Sequence, residues 1–417
     1  MNLGQGVEHR RGFLHALVEQ GHDVTLGSTV RKKEQVLLKS RSLSGKTSWY
    51  NKLKYDIYAK GTDFDVLILE CGSNNVRYTR GTSEGPEVNI LGLNVQRLRE
   101  FRGKVFLWHH IYATSVIFPF GTIYNADGTR REAEGRKPVE ELSDSNWRFL
   151  FDKFDPFEGK EWTILHHCLD EEAFKRVPGR YKLTYGDVKQ FKYKYVHLPI
   201  STLDDFIPTV KPKPDWDSLY IGSGHSHAIA YSLYKRFENV KKFYDTPLYK
   251  TGVLGKFGGW EGDGDESFKY ATNWNDGGSN IPIAVQNWNN SYTHIFTDSP
   301  ACLETGSITG RTFLSLQGGS ILLLDKNISN VHKLNLGAYE VADAKEASEW
   351  IKVIKDWSPQ KRDEVRRQQL STFPTWEGLN WEQILTGKNT DPFDLSDTKL
   401  NVSPHVPILH QRNDDYV

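Results

Sequence analysis

Apolar runs of strand length alternate with segments of helical period along most of the chain. In the first half, the predicted strands span residues 22–26, 65–71, 104–109, 162–167 and 195–200, and the predicted helices span 7–20 and 88–102. Strands that are apolar throughout are typical of a parallel sheet covered by helices on both faces. The alternation therefore predicts an α/β protein.

A second α/β series follows the Pro- and Lys-rich stretch 208–214, which has the composition of an extended linker. Its predicted strands span 218–221, 240–244, 294–297, 320–324 and 339–341, and its predicted helices span 227–237, 282–289, 310–317 and 344–356. Two such halves predict a cleft between them, and ligands of parallel sheets bind beyond the carboxyl ends of the strands. Residues 120–144 and 258–280 are polar and glycine-containing and are predicted to be long loops.

The composition is that of a globular protein. Of the 417 residues, 38% are hydrophobic and 25% are charged, which excludes disordered and coiled-coil classes. Lys and Arg balance Asp and Glu, so the net charge favours no class of partner. The polar start and the lack of an apolar run of about 18–20 residues predict neither a signal peptide nor a membrane helix. Three widely spaced cysteines favour a reducing compartment over a disulfide framework or a zinc site.

Two glycine-rich turns precede predicted helices and have the chemistry of a phosphate-binding loop. Glycine lets backbone amides approach a ligand, and a helix N-terminus favours negative charge. The first turn contains Gly6 and Glu8, and the second contains Gly222, Ser223, Gly224, His225 and His227. The first is not a dinucleotide fingerprint, which disfavours a dehydrogenase, and the second is not a Walker loop. Ordinary strand–helix turns are the alternative.

Residues 304–311 lead into another predicted helix and contain Glu304, Thr309 and Arg311. An arginine in the first turn of a helix does not stabilise the helix dipole, so Arg311 at this position is explained by contact with a phosphate. The alternative is that its side chain is simply solvated. Asp263 and Asp265 resemble a metal-binding Asp-x-Asp pair, although a solvated acidic loop is the simpler explanation.

Pairs of histidines close two predicted strands at their carboxyl ends, at 109–110 and at 166–167. A histidine there faces the expected cleft and can take a proton near neutral pH. Structural histidines bonded to the backbone are the alternative.

Basic residues are in excess over acidic residues in the first 137 positions. Arg77, Arg80, Arg130 and Arg131 lie in predicted loops. Exposed cations of this kind can bind a nucleic-acid backbone in a salt-dependent way. A routine basic surface explains them as well.

Short motifs, in this order along the chain, resemble the T-even phage DNA glucosyltransferases, which are GT-B enzymes. The glycine-rich start, residues 21–26 and Trp108-His109-His110 resemble the α-type enzymes. The segments 163–166, 169–170, 198–200, 220–223, 309–311 and 321–325 resemble the β-type enzymes. The resemblance extends over most of residues 1–370 as short matches.

This resemblance implies two Rossmann-like domains that face a cleft. They are 1–207, with an insertion at 120–144, for the acceptor, and 215–372 for the donor, while 373–417 packs back on the first domain. The implied reaction moves a sugar from a uridine-diphosphate (UDP) sugar to a hydroxymethylated pyrimidine flipped out of duplex DNA. The resemblance implies no tightly bound cofactor, no membrane partner and a monomer in the cytoplasm of the infected host. A divalent cation such as Mg²⁺ or Mn²⁺ stays open.

The resemblance also implies roles for individual residues. Gly222, Ser223 and Arg311 match positions that contact the nucleotide diphosphate. The rest of the predicted donor site is Gly6, Glu8, Gly224, His225, His227, Glu304 and Thr309, and the predicted DNA-binding residues are Arg77, Arg80, Arg130 and Arg131. His110 first, and His109 second, stand near the family's aspartate base and are predicted to deprotonate the hydroxymethyl oxygen.

The chain departs from the β-type pattern where that family uses charged side chains. His225 and Ile229 replace arginines, and Leu314 replaces an acidic residue, for which Glu304 is the predicted substitute. Two alternatives therefore stay open. One is a GT-B transferase with a glycan, lipid or small-molecule acceptor, and the other is a non-catalytic protein that binds DNA or a nucleotide sugar.

Overall fold

The structure, a computed structural model, describes the chain in segments. They are residues 14, 16–26, 54–55, 64–71, 76–79, 87–90, 93–94, 101–109, 123–124, 130–131, 161–176, 191–196, 208–222, 230–255, 268–274, 281–334, 336, 339–373 and 378–386. No helix within these segments is long and apolar enough to cross a membrane.

The first half is organised around a four-stranded parallel sheet. Its elements are β1 (Thr25–Leu26), β2 (Lys54–Tyr55), β3 (Val66–Cys71), β4 (Val76–Thr79), β5 (Glu87–Ile90), β6 (Leu93–Asn94), β7 (Lys104–His109), β8 (Ile123–Tyr124), β9 (Arg130–Arg131), β10 (Trp162–His166), α1 (Glu171–Arg176) and β11 (Phe191–Tyr195). The parallel sheet has the order β11–β10–β7–β3. Strands β1 and β2 form a parallel pair, whereas β4–β5–β6 and β8–β9 are antiparallel.

The second half is a six-stranded parallel sheet with helices on both faces. Its elements are β12 (Trp216–Ile221), α2 (Ala230–Tyr244), β13 (Thr251–Leu254), β14 (Thr272–Trp274), α3 (Ile281–Asn289), β15 (Ser291–Phe296), α4 (Pro300–Thr305), α5 (Arg311–Gly318), β16 (Ile321–Asp325), a 3-10 helix (Val331–Leu334), β17 (Glu340–Val341), α6 (Ala344–Lys355) and α7 (Pro359–Leu370). The spatial order is β14–β13–β12–β15–β16–β17. The chain therefore adds β13 and β14 on one side of β12 and then β15, β16 and β17 on the other side.

Alternate residues of the central strands supply two separate cores. Leu322 and Leu324 of β16 belong to the cluster on the α3 and α5 side, while Ile321 and Leu323 pack with residues of α2 and α6. All five residues of β16 are buried. The continuous apolar run in the sequence follows from this burial on both faces.

Most predicted elements of the second half are confirmed, but the region after β12 was predicted wrongly. The predicted strand at 240–244 is the end of α2, because Val240, Phe243 and Tyr244 follow helical spacing and all pack in the core cluster with the sheet. The next strand is β13, which was missed. β14 also lies inside the predicted loop 258–280.

One predicted helix of the first half is wrong at its start. Residues 87–90 and 93–94 pair as the strands β5 and β6, with Ile90 opposite Leu93. The two residues left between them end in Gly92, and a two-residue turn with glycine favours a hairpin over a helix. Strands β8 and β9 likewise pair inside the predicted loop 120–144.

The Pro- and Lys-rich stretch is not a free linker. Arg362 of α7 donates to the carbonyls of Lys211 and Pro212 at 2.8 Å each, and Arg366 donates to the carbonyl of Pro208 at 3.1 Å. Both arginines are buried. The stretch is therefore attached to the second half by side chains that are far away in the sequence.

The chain returns to the first sheet after α7. The helix α8 (Trp381–Thr386) packs with Leu17, Phe106 and Leu165 through its buried Trp381 and Ile384. The side chain of Gln20 donates to the carbonyl of Leu379 at 2.6 Å and accepts from the amide of Trp381 at 3.0 Å. The predicted domain boundaries themselves remain predictions.

Candidate functional site

The order of strands in the second sheet reverses between β12 and β15. At such a reversal the connections leave on opposite sides of the sheet, and a crevice opens beyond the carboxyl ends of the two strands. Gly222 directly follows β12, and residues 297–299 directly follow β15. The geometry therefore selects these two strand ends as the place for a ligand.

Gly222 sits against the guanidinium group of Arg311. A Cβ atom at position 222 would lie 2.6 Å from Arg311 Nη1 and 3.0 Å from Tyr220 Cε1. A side chain at this position would displace the arginine, so the glycine here makes a close approach possible. The backbone amide of Gly222 donates to the carbonyl of Leu254 at 2.9 Å, which fixes the start of the turn.

Arg311 begins α5 and turns back towards the strand ends. Its guanidinium donates to the hydroxyl of Tyr220 and to Asp298 Oδ2, and its Nε donates to Thr309 Oγ1 at 3.3 Å. The side chain is nearly buried and also lies over the ring of Tyr220. Arg311 is therefore held in one orientation by three partners.

Asp298 is fully buried and forms an ion pair with a second arginine, Arg236. Arg236 of α2 donates from Nε to Asp298 Oδ1 at 2.6 Å, and Asn239, one helical turn later, donates to the Asp298 carbonyl at 2.7 Å. Burial alone would raise the pKa of Asp298, but Arg236 and Arg311 outweigh it and hold the pKa below its usual value. The carboxylate is thus ionised between two guanidinium groups.

In this cluster the guanidinium groups of Arg236 and Arg311 meet at the carboxylate of Asp298. Guanidinium groups match the geometry of phosphate oxygens, so two of them at one strand end favour an anionic ligand. Burial raises the pKa of Tyr220, although Arg311 opposes the shift. The tyrosine is therefore not a further anion. The arrangement has the chemistry of a phosphate or diphosphate site.

The carboxyl edge of the first sheet carries the histidines. His109 ends β7 and is in register with Cys71 of β3 and His166 of β10. His166 is buried, accepts at Nδ1 from the amide of Cys168 at 3.3 Å, and lies with Nε2 3.3 Å from Glu171 Oε2. Burial lowers the pKa of His166 despite the carboxylate, so this histidine is neutral and structural.

Comparisons with known proteins were made at the level of sequence and of structure. No family model matches the chain, and no curated protein matches it significantly. The T4 phage beta-glucosyltransferase in complex with its UDP-glucose substrate is 12% identical, with a TM-score of 0.52 over 90% of this chain and 92% of that one. The chain has a GT-B fold.

Two further structures are similar to this chain at lower scores. A second T4 phage beta-glucosyltransferase structure is 13% identical, with a TM-score of 0.49 over 90% of this chain and 88% of that one. An alpha-glucosyltransferase in complex with UDP and a 13-mer DNA is 11% identical, with a TM-score of 0.45 over 92% of this chain and 97% of that one.

Within this GT-B fold, three predicted donor residues lie together, namely Gly222, Thr309 and Arg311. Glu304 lines a cavity of about 540 Å³ with Arg176, Asn327 and Glu340, and its role in donor binding stays a prediction. Leu314 is buried in the core. His109 and the predicted DNA-binding residues Arg77, Arg130 and Arg131 lie in strands whose side chains are not described.

The other predicted residues lie outside the described segments. They are Gly6, Glu8, Arg80, His110, Ser223, Gly224, His225, His227, Asp263 and Asp265. In the described part of the chain, no group of three or more His, Cys, Asp or Glu side chains is placed to hold a metal ion.

Sequence reasoning missed Asp298 and Arg236. Asp298 follows a correctly predicted strand at its carboxyl end, and that position alone could have identified it. Arg236 gave no such signal, because the predicted strand at 240–244 cut its helix short. A helix that continues to Tyr244 places Arg236 and Asn239 on one face, which the structure directs at Asp298.

Proposed function

We propose that the protein is a glycosyltransferase that moves a sugar from a UDP-sugar to a hydroxymethylated pyrimidine in duplex DNA. The observation that carries the proposal is the cluster of Arg236, Arg311 and Asp298 beside Gly222, at the strand reversal of a GT-B fold. Its two guanidinium groups have the chemistry that binds a nucleoside diphosphate. The similarity in fold to a T4 phage enzyme that was determined with UDP-glucose supports the choice of donor.

In this proposal the diphosphate lies between Arg311 and the turn that begins at Gly222. Tyr220 and Asp298 hold Arg311 before the donor arrives, so little reorganisation is needed when negative charge develops on the leaving diphosphate. The other predicted members of the donor site, Ser223, Gly224, His225, His227, Gly6 and Glu8, belong to the proposal as expectations from the sequence.

The acceptor lies on the side of the first sheet. A hydroxymethyl base must leave the duplex to reach a buried diphosphate, and Arg77, Arg80, Arg130 and Arg131 are the proposed contacts to the DNA backbone. His110, which follows β7, takes the proton from the hydroxymethyl oxygen. That oxygen bonds to the anomeric carbon as the bond to the diphosphate oxygen breaks, and UDP leaves. His109 is the second candidate for the base.

A divalent cation such as Mg²⁺ or Mn²⁺ stays open in the proposal as a second source of positive charge at the diphosphate. Asp298 is already paired with both arginines, so it is a poor metal ligand. The arginines themselves supply the positive charge. A monomer acting in the cytoplasm of a phage-infected host is part of the proposal, because DNA and UDP-sugars are both found there.

Mass spectrometry of nucleosides tests the proposal. The protein is incubated with duplex DNA that contains hydroxymethylcytosine or hydroxymethyluracil, with a panel of UDP-sugars, and with either a divalent ion or a chelator. We expect a hexose or pentose mass increment on the modified base and none on unmodified DNA. His110→Ala should abolish the increment, and Arg311→Met should weaken UDP binding.

Each outcome separates one part of the proposal from the others. UDP binding without any increment would replace DNA with a glycan, lipid or small-molecule acceptor. An increment that survives His110→Ala would move the base to His109 or elsewhere. Absence of both UDP binding and transfer would refute a glycosyltransferase.

A further inference from the structure

The chain that leaves β10 joins the two halves at the loop that carries Arg311. Residues 167–170, which we name the connector, follow β10 in the first half, and residues 306–310, which we name the arginine loop, lead directly into Arg311 in the second half. Cys168 and Ser307 form an antiparallel bridge between these two segments. The amide of Leu169 donates to the carbonyl of Gly306 at 3.3 Å.

Side chains reinforce this junction. Ser307 Oγ lies 3.2 Å from His167 Nε2, and both residues are buried. Leu169 and Ile308 belong to the same apolar cluster. The contact therefore combines a buried polar pair with apolar packing and backbone pairing, so the arginine loop is held tightly by the first half.

Gly306 shows how close the two segments are. Its φ is +64°, and a Cβ atom there would lie 2.4 Å from the carbonyl oxygen of Ser329 and 2.7 Å from Leu169 Cβ. Glycine is needed for both reasons, since other residues adopt this conformation rarely and have no room. The connector is thus in close contact with the arginine loop at Leu169.

His166 and His167 are adjacent in the sequence but make contacts in opposite halves of the protein. His166, the last residue of β10, contacts Glu171 and Phe174 within the first half, whereas His167 contacts Ser307 in the second half. His166 is also in register with His109, which precedes the proposed base. The carboxyl end of β10 therefore contacts the proposed acceptor half through His166 and the proposed donor half through His167.

We propose that His167 and Ser307 are positioning residues for Arg311, through which the first half controls donor binding in the second half. The inference rests on the proposed function and extends it, because Arg311 is the residue that they act on. Arg311 Nε donates to Thr309 within the arginine loop, so a shift of the loop moves the guanidinium directly. Neither His167 nor Ser307 needs to contact the donor.

Calorimetric titration with UDP tests this on the full-length protein. We expect Ser307→Ala to weaken UDP binding by about three- to tenfold, the effect of one buried hydrogen bond. Ser320→Ala is the matched control, since Ser320 is equally buried and its hydroxyl donates to the Trp288 carbonyl at 2.8 Å. Ser320 lies at the amino end of β16, away from the carboxyl ends of the strands where the site lies. In turnover assays, KM for the UDP-sugar should rise in Ser307→Ala with kcat nearly unchanged.

A second pair of variants covers the case in which Ser307→Ala does not fold. His167→Gln keeps a polar atom near the position of Nε2, and His167→Leu removes it, so only the leucine variant should weaken UDP binding. Equal affinities for wild type, Ser307→Ala and both His167 variants would overturn the inference, as would equal losses in Ser307→Ala and Ser320→Ala. A wild-type protein that does not bind UDP would instead refute the proposed function.

Discussion

Asp298→Asn is the substitution that tests the buried charge cluster most directly. It keeps the shape of the side chain but removes the negative charge with which Arg236 and Arg311 both pair. At roughly 4 Å and an effective dielectric of about 20, each guanidinium attracts the carboxylate by about 4 kcal/mol. Part of this is regained because the desolvation penalty of the carboxylate disappears. We expect a net loss of about 3–5 kcal/mol in the free energy of unfolding.

Urea denaturation followed by far-UV circular dichroism measures this loss. The comparison needs Arg236→Gln and the double variant, which removes one charge of each sign. If the carboxylate of Asp298 and the guanidinium of Arg236 interact, the double variant should be less destabilised than the sum of the singles by about 1–3 kcal/mol. The pKa of Asp298 is lowered in the folded state, so its contribution is present above the unfolded pKa and is lost as the pH falls through the folded one. Asp298→Asn should therefore lose less stability than wild type on acidification below about pH 4.

Two results would refute this reasoning. A loss below about 1 kcal/mol in Asp298→Asn would mean that the carboxylate is not buried between charged groups. Strict additivity of Asp298→Asn and Arg236→Gln would mean that the two side chains do not interact, and the buried charge cluster would then lack support.

Three other predictions concern the site, the core and the linker stretch. Gly222→Ala should weaken UDP binding by about tenfold in a titration, because the added Cβ displaces the guanidinium of Arg311, while unchanged affinity would contradict the close approach. Burial lowers the pKa of His294 to about 3, so on acidification the unfolded state binds the proton before the folded state does. The free energy of unfolding should therefore fall by about 1.3 kcal/mol between pH 7 and pH 5.5. The fall should be smaller in His294→Phe. Arg366→Met should lower the free energy of unfolding by about 3 kcal/mol, because four hydrogen-bond partners lose their donor. Arg367→Met removes a partly exposed partner of the same aspartate and should cost less than about 1 kcal/mol. Equal losses would contradict the role of burial.

The parallel sheets could be predicted from the sequence in large part because strands such as β10 and β16 are buried on both faces. β7, β10 and β16 read as continuous apolar runs, and such runs leave little choice of element. The helix α2 could not be predicted over its full length. Its polar residues Arg236 and Asn239 point at a strand end that is distant in the sequence, so they interrupt the expected apolar stripe.

The candidate site could be predicted in part for a related reason. Gly222 and Arg311 belong to short local patterns, a glycine-rich turn and a first helical turn, that are visible without tertiary structure. The partnership of Asp298 with two arginines depends on the strand order, which no local pattern encodes. The attachment of Pro208 and Lys211 to α7 is equally invisible, because it joins positions that lie about 150 residues apart.

The return of α8 to the first sheet determines when that half can be completed during synthesis. The hydrogen bond from Gln20 to the carbonyl of Leu379 joins residues 359 positions apart. At about 5–20 residues per second, a ribosome needs roughly 20–70 s to make the chain between them. Leu17, Phe106 and Leu165 are all synthesised before Trp381 and Ile384, so they lack these packing partners until the end of that interval. The half that is translated first is thus the half whose core is completed last.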